Sequence, residues 1–240
     1  MSGPAGAGQR KPATLDEELL NAESHAVATT KSEEDRLERI RHELAEGFAA
    51  LTGLGPAVSL FGSARVHRHH PEYDFARVVS RRLGEAGFAI ITGGGPGVME
   101  AANRGAREAG VTSVGLNIEL PFEQEQNDYI DIGLRFHYFF TRKVMFVRYA
   151  CAFVVLPGGF GTLDELFEAL TLIQTGKIRH FPVVLAGSDY WHGLLAWIQE
   201  RMMREGKIEP ADLELLSLSD DPDELVEIVR AGAARQAVLG

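Results

Sequence analysis

Leu156-Pro157-Gly158-Gly159-Phe160-Gly161-Thr162-Leu163-Asp164-Glu165 is the stretch that decides how this chain is read. An apolar, β-branched run from Cys151 to Leu156 stops at Pro157, and a glycine-rich turn then opens a helix expected to begin near Thr162. Glycines let backbone N–H groups approach a ligand closely, and a helix N-terminus carries partial positive charge, so the junction suits an anion such as phosphate. Gly159, Phe160, Gly161 and Thr162 are therefore candidate binding residues. Glu165, read as part of the first helical turn, adds a carboxylate beside the anion. The same residues also make a sound helix start, with Thr162 as a cap and acidic side chains in the first turn. One junction leaves both readings open.

A second junction follows Phe88-Ala89-Ile90-Ile91-Thr92, where Gly93-Gly94-Gly95-Pro96-Gly97 precedes the helical pattern Val98 to Glu108. Four glycines and a proline in five positions cannot continue a strand, and they place another helix N-terminus beside the sheet. Gly94, Gly95 and Gly97 are candidate substrate contacts. No Gly-Lys-Ser/Thr follows, so this is not a P-loop, and the glycine spacing lacks the third member of G-x-G-x-x-G. Glu119 lies at roughly the ~20-residue distance of a ribose-binding acid, which keeps a dinucleotide site as an alternative.

From Val58 onward, apolar strands alternate with helices. The expected strands are 57–61, 88–92, 112–118, 152–156, 181–186 and a weaker 214–218; the expected helices are 72–86, 97–109, 138–149, 162–175, 189–204 and 221–233. This alternation implies an α/β, Rossmann-like doubly wound fold, with a mostly parallel sheet and helices on both faces. Ligands in such sheets sit beyond the C-terminal ends of the strands, where both glycine turns fall. Ahead of the single domain (56–240) we expect a disordered, Gly/Ala/Pro-rich tail over residues 1–20 and a helical lead-in over 21–55. Ser32-Glu33-Glu34-Asp35 reads as a capping box, and Leu37, Ile40, Leu44, Phe48 and Leu51 recur at helical spacing, so this helix must dock on the domain or on another subunit.

The chain has 240 residues, 45% hydrophobic and 24% charged, which fits a globular α/β enzyme. No apolar run approaches the ~18 residues of a membrane span, and the N-terminus does not read as a signal peptide, so a cytoplasmic protein is expected. A net charge of −10 with no basic block argues against nucleic-acid binding. Cys151 is the one cysteine and reads as a small buried hydrophobe. His67, His69 and His70 share one loop without partners at zinc spacing, so no metal is expected.

Between the two turns runs Phe139-Phe140-Thr141-Arg142-Lys143-Val144-Met145-Phe146-Val147-Arg148. An Arg-Lys pair at a helix start sits where the dipole disfavours cations, so a compensating anion is expected nearby. A bound ligand would serve. A solvated pair snorkelling along an apolar surface is the other reading.

Together, PGGFGTLDE, the Arg142-Lys143 pair and GGGPGVMEAANRGA resemble the LONELY GUY family of cytokinin riboside 5′-monophosphate phosphoribohydrolases, over about Val58 to Trp197. The likeness is to its longer bacterial branch, whose members were once labelled possible lysine decarboxylases. The resemblance implies hydrolysis of the N-glycosidic bond of a nucleoside 5′-monophosphate to free base and ribose 5-phosphate, without a cofactor. It implies Arg142 and Glu165 as the catalytic pair, with Lys143, Gly159 to Thr162, Thr171 and Glu123 lining the site. The chain departs from the plant-type pattern at Glu100, where glycine is usual, and at Asp164, where glutamate is common.

That chemistry is consistent with the residues. Departure of a base builds oxocarbenium-like charge at the anomeric carbon, which a carboxylate can stabilise while it orients or deprotonates water. The decarboxylase label fits less well, since pyridoxal phosphate needs a Schiff-base lysine with dedicated partners. Of Lys11, Lys31, Lys143, Lys177 and Lys207, only Lys143 falls near the expected site. Two alternatives stand beside the cytokinin reading: a general purine or pyrimidine monophosphate nucleosidase, and a binding protein resembling molybdenum-cofactor carriers. The last needs no hydrolytic carboxylate, so Glu165 with Arg142 favours an enzyme. The apolar faces of the Phe139–Tyr149 and Leu163–Ile173 helices lead us to expect a homodimer with the site near its interface.

Overall fold

The computed structural model describes residues 14–20, 32–120, 126–179 and 181–239. After two leading helices, α1 (Leu15–Leu20) and α2 (Glu33–Leu51), the chain forms β1 (Ala57–Phe61), α3 (Pro71–Glu85), β2 (Ala89–Thr92), α4 (Val98–Ala109), β3 (Ser113–Ile118) and β4 (Ile132–Phe136). It continues through α5 (Phe139–Tyr149), β5 (Ala152–Val155), α6 (Phe160–Gln174), β6 (Val183–Leu185), α7 (Ser188–Trp197), β7 (Leu216–Leu218) and α8 (Pro222–Leu239). All pairings are parallel and the seven strands lie in the order β4-β3-β2-β1-β5-β6-β7. The doubly wound, Rossmann-like sheet expected from the alternation is therefore present. The order reverses between β1 and β5, which makes their C-terminal ends the topological switch point.

Both faces of the sheet are covered. Val58, Leu60, Ile90 and Val154 pack under α3, α4 and α8. Ala57, Phe61, Ile91, Phe153 and Val155 face the other way, against α2, α5, α6 and α7. That alternation, apolar on both sides, is why the central strands read as continuous hydrophobic runs. Phe61 sits edge-on to Phe146 and Phe153 at centroid distances of 4.9 and 4.8 Å, locking β1 and β5 to α5. Cys151 is partly buried against the α3/α4/α8 side and its thiol donates to Ala57 O, consistent with a packing role.

Several boundaries differ from the sequence reading. β4 is an additional strand at the sheet edge; Gly133 and Arg135 are exposed along it, so it lacks the uninterrupted apolar run that marks the central strands. Helix α7 continues as a π-helical turn over Ile198–Met203, and a short 3₁₀ segment, Pro210–Leu215, leads into β7. Leu15–Leu20, assigned by composition to a disordered tail, form α1: Thr14 Oγ1 accepts from Glu17 N, and buried Glu18 pairs with buried Arg36 of α2. Residues 1–13 lie outside the described residues.

The Ser32–Asp35 capping box starts α2 as expected. Leu44, Phe48 and Leu51 of the expected stripe pack on the core, with Arg36, Glu43 and Gly47 buried beside them, while Leu37 is 65% exposed. A Cβ at Gly47 would fall 2.7 Å from Met145 Sδ of α5, so the two helices lie close there.

Gly97 caps α4 at φ +70, and a Cβ at that position would lie 2.4 Å from Ser63 O in the loop after β1. Gly97→Ala should therefore lose at least the ~1–2 kcal/mol of a left-handed L-residue, with the collision added. Urea unfolding of the variant beside the wild type checks this.

Candidate active site

A cavity of about 550 Å³ opens over the switch point. Its floor and walls come from the ends of three strands and the starts of three helices: Phe61 to Arg65 at the end of β1, Gly93 after β2, Asn117, Ile118 and Leu120 at the end of β3, Met99 of α4, Phe139, Arg142 and Phe146 of α5, and Gly159 to Thr162 with Glu165 of α6. The elements explain the placement. Parallel strands put all these junctions on one edge, and the reversal of direction between β1 and β5 parts their loops.

Helix α6 starts at Phe160, two residues earlier than the sequence reading, with Gly159 as its cap in an extended conformation. Thr162 N and Leu163 N both donate to Gly159 O at 3.0 Å. Thr162 is thus inside the first turn and does not cap it, and Glu165 belongs to the second turn. Gly159 offers no side chain to cap the helix, which leaves its first-turn amides uncovered. The amides of Phe160 and Gly161 remain as donors of the first turn, beside the cavity. Phe160 itself stands at the lip, 92% exposed.

Glu165 is 3% exposed and lines the cavity together with Arg142. Arg142 Nη2 is 4.0 Å from Glu165 Oε1, a Coulombic pair without a direct hydrogen bond. Arg142 Nε and Glu165 Oε2 are buried with no hydrogen-bond partner. Buried polar atoms are ordinarily satisfied, so this pair carries unused hydrogen-bonding capacity at the cavity wall. The guanidinium also lies over the rings of Phe139 and Phe146, 5.1 and 5.4 Å from their centroids. Burial pushes the Glu165 carboxyl up to about 7, against the opposing pull of Arg142 and Lys143. Burial likewise draws Arg142 downward, opposed by Glu165, Asp164 and Asp16.

The second glycine turn does different work from that expected. Gly93 lines the cavity, but Gly94, Gly95 and Gly97 do not. Gly94 N donates to Thr92 Oγ1, and the carbonyls of Gly94 and Gly95 accept from Asn127 Nδ2. Val98 N, at the start of α4, is taken by Ser63 O at 3.0 Å, while Ser63 N donates to Pro157 O at 2.9 Å. The peptide groups of Ser63 therefore link the two glycine turns. This turn is closed by protein groups, whereas that of α6 is open.

Lys143 lies outside the cavity lining and bridges α5 to α6, with Nζ 3.0 Å from Asp164 and 3.1 Å from Glu168. Burial would lower its pKa, but the two carboxylates hold it above the usual lysine range. Thr171 is exposed, six residues beyond Glu165 on α6, and its hydroxyl donates to Phe167 O. Glu123 lies outside the described residues. Glu100, a departure from the plant-type pattern, is buried on α4 and accepts from Arg68 Nε and Tyr73 Oη. Sequence reading missed the Gly62–Arg65 loop, Asn117 and Phe139. The rule that ligands sit at strand C-termini, applied to β1 and β3 as well as to β2 and β5, would have found the first two.

Among the described residues no helix is long and apolar enough to cross a membrane, and no group of three or more His, Cys, Asp and Glu side chains is arranged to hold a metal.

Similarity to known proteins follows these features. Solved structures of the molybdenum cofactor carrier protein from Chlamydomonas reinhardtii (TM-score 0.57, 23% identity, 75% of this chain and 98% of that one) and of the molybdenum cofactor binding protein from Rippkaea orientalis (0.55, 21%, 73% and 96%) share the fold. Residues 99–229 match the family model described as "Possible lysine decarboxylase". A cytokinin riboside 5′-monophosphate phosphoribohydrolase from Mycobacterium marinum is 30% identical over 166 residues, 68% of this chain and 88% of that protein. A probable enzyme of the same name from rice (Oryza sativa subsp. japonica) is 40% identical over 87 residues, 36% of this chain and 35% of the relative. The fold and the open α6 turn define an α/β protein of Rossmann-like, doubly wound type. The chain belongs to the LONELY GUY family, whose model keeps the older decarboxylase description. The placement of Lys143 against Asp164 and Glu168 gives that older description no support.

The raised Glu165 pKa has a stability consequence with a definite sign. A folded carboxyl at about 7 holds its proton more tightly than an ordinary one at 4.5, so its contribution is present at low pH and lost as pH rises through that window. Glu165→Gln, neutral throughout, should gain stability relative to wild type between these pH values. Thermal melts of both proteins at pH 5 and pH 8 test this: the variant should melt higher at pH 8 by more than any difference at pH 5.

Proposed function

We propose that this protein hydrolyses the N-glycosidic bond of a nucleoside 5′-monophosphate to free base and ribose 5-phosphate. The observation that carries the reading is the buried Arg142–Glu165 pair, with Nε and Oε2 unpartnered, set in a cavity beside the open N-terminus of α6. The amides of Phe160 and Gly161, with Thr162, suit a 5′-phosphate, so binding energy at the phosphate positions the sugar. Water adds its hydroxyl to the anomeric carbon as the bond to the base nitrogen breaks, and its proton passes to the departing base. Glu165 stabilises the oxocarbenium-like centre and accepts the proton from water; a carboxyl titrating near 7 is matched to that exchange. Arg142 holds Glu165 electrostatically and offers a charged donor to the substrate. The names of the relatives supply the substrate class, cytokinin riboside 5′-monophosphate, with AMP as its unmodified counterpart.

The same reading includes a homodimer. Phe139, Phe140 and Val144 of α5 are 40, 44 and 41% exposed, and Phe160, which lines the cavity with Phe139, is 92% exposed, apolar surface suited to a second copy near the site. Light scattering at micromolar concentration should give twice the chain mass; a monomer rejects this part of the proposal.

Glu165→Gln should retain AMP binding and lose base release by at least roughly 10²-fold, the lower range of general-base contributions. Arg142→Ala should also lose turnover, and Arg142→Lys should recover it only in part because a point charge replaces a planar fork. Adenine release from AMP, in competition with isopentenyl-AMP, GMP, CMP and UMP, measures activity and base preference together. Binding without release by the wild type would favour a carrier, and near-normal turnover in Glu165→Gln would remove the mechanism.

A further inference from the structure

Helix α5 carries Arg142 into the cavity, yet its own sequence does little to hold its first turn. Its cap residue, Tyr138, makes no side-chain capping bond, and the first turn contains no acidic residue. A helix start with no acceptor of its own and two cations, Arg142 and Lys143, close behind it is electrostatically ill-provided.

The acceptors come from elsewhere in the chain. Glu43, at the middle of α2 and 4% exposed, reaches this junction with both oxygens. Its Oε1 accepts from His137 N at 3.2 Å and from the His137 ring at Nδ1, 2.8 Å away. Its Oε2 lies 2.7 Å from Thr141 Oγ1, sharing that hydroxyl's one proton with Tyr138 O at 2.8 Å. Asp16 of α1 adds a second carboxylate, accepting from Phe139 N at 3.1 Å. Thr141 is fully buried and is the residue immediately before Arg142. The contact of Gly47 with Met145 fixes how closely α2 can lie on α5, which sets the reach of Glu43.

We propose that Glu43 is a positioning residue for the reaction: by holding His137 and Thr141 it fixes the first turn of α5 and so the aim of Arg142 toward Glu165. The lead-in helix is then a working part of the active site, although it contributes no atom to the cavity wall. A carboxylate buried at this depth costs several kcal/mol unless its lone pairs are filled, and the filling groups here all belong to the β4–α5 junction. Simple helix docking would be served as well by an apolar side chain. This inference rests on the nucleotide-hydrolysis reading.

The test compares wild type, Glu43→Leu, Glu43→Gln and Thr141→Val in adenine release from AMP, with AMP affinity and the number of binding sites per chain measured by calorimetry. Glu43→Leu removes every acceptor and should lower kcat per binding site by roughly tenfold or more, the scale expected when a catalytic group is misplaced by a fraction of an ångström. AMP affinity should change by no more than about threefold, because the α6 amides are untouched. Glu43→Gln keeps one acceptor for His137 and should restore a large part of kcat. Thr141→Val removes only the donor next to Arg142 and should lower kcat in the same direction. If Glu43→Leu does not fold, Thr141→Val decides: a loss of kcat per binding site supports the proposal, and wild-type kcat overturns it. A fall in the number of binding sites at unchanged kcat per site also overturns it, since that is what a purely structural role produces. A wild type that binds AMP but releases no adenine refutes the hydrolysis reading and this inference with it.

Discussion

A parallel sheet buried on both faces imposes one constraint from which the rest of this molecule follows. Every strand must end at the same edge, and every return must cross the sheet as a helix or long loop. Where the strand order reverses, between β1 and β5, neighbouring loops turn to opposite sides and leave a gap. The cavity occupies that gap, and its chemistry is assembled from segments far apart in sequence: the β1 loop, the end of β3, and the starts of α5 and α6. The central strands tolerate no polar interruption except where a partner is supplied, as Ser59 is by Phe146 O and Thr92 by Asn103.

Charge is distributed according to depth. Between α5 and α6, Lys143 is matched by two carboxylates, Asp164 and Glu168, at 3.0 and 3.1 Å. One residue away, Arg142 faces Glu165 at 4.0 Å with hydrogen-bonding atoms of both left over. Adjacent basic residues thus differ: Lys143 closes on two carboxylates, and Arg142 stands 4.0 Å from one with its Nε unpartnered. Incomplete pairing in a low-dielectric site is expensive for folding and useful for chemistry, because a substrate that completes it meets groups already oriented.

The central strands, the surrounding helices and the open glycine turn were legible because each rests on a local signal, an apolar run or a cluster of glycines. β4 was not, since an edge strand with Gly133 and Arg135 facing outward has no such run. The Arg142–Glu165 partnership was legible through family resemblance and motif, but the separation of Arg142 from Lys143 was not; their spacing gives an angle about the helix, and only tertiary packing says which direction meets the cavity. The turn after β2 shows a second meaning of glycine: it marks a place where something approaches closely, and at Gly97 the approaching group is the Ser63 backbone. Glu43 was invisible because nothing in the polar stretch of α2 distinguishes a buried carboxylate from the solvated ones around it.

Ser63 joins the two glycine turns through one residue, its N–H on Pro157 and its carbonyl on Val98. A rim tied in this way couples the two turns, so displacing one pulls on the other. On the proposed function, preference among differently substituted bases then falls to side chains that stand free of that tie. Phe160 at the lip is the most accessible of them, a place where ligand preference can drift while the frame beneath stays fixed.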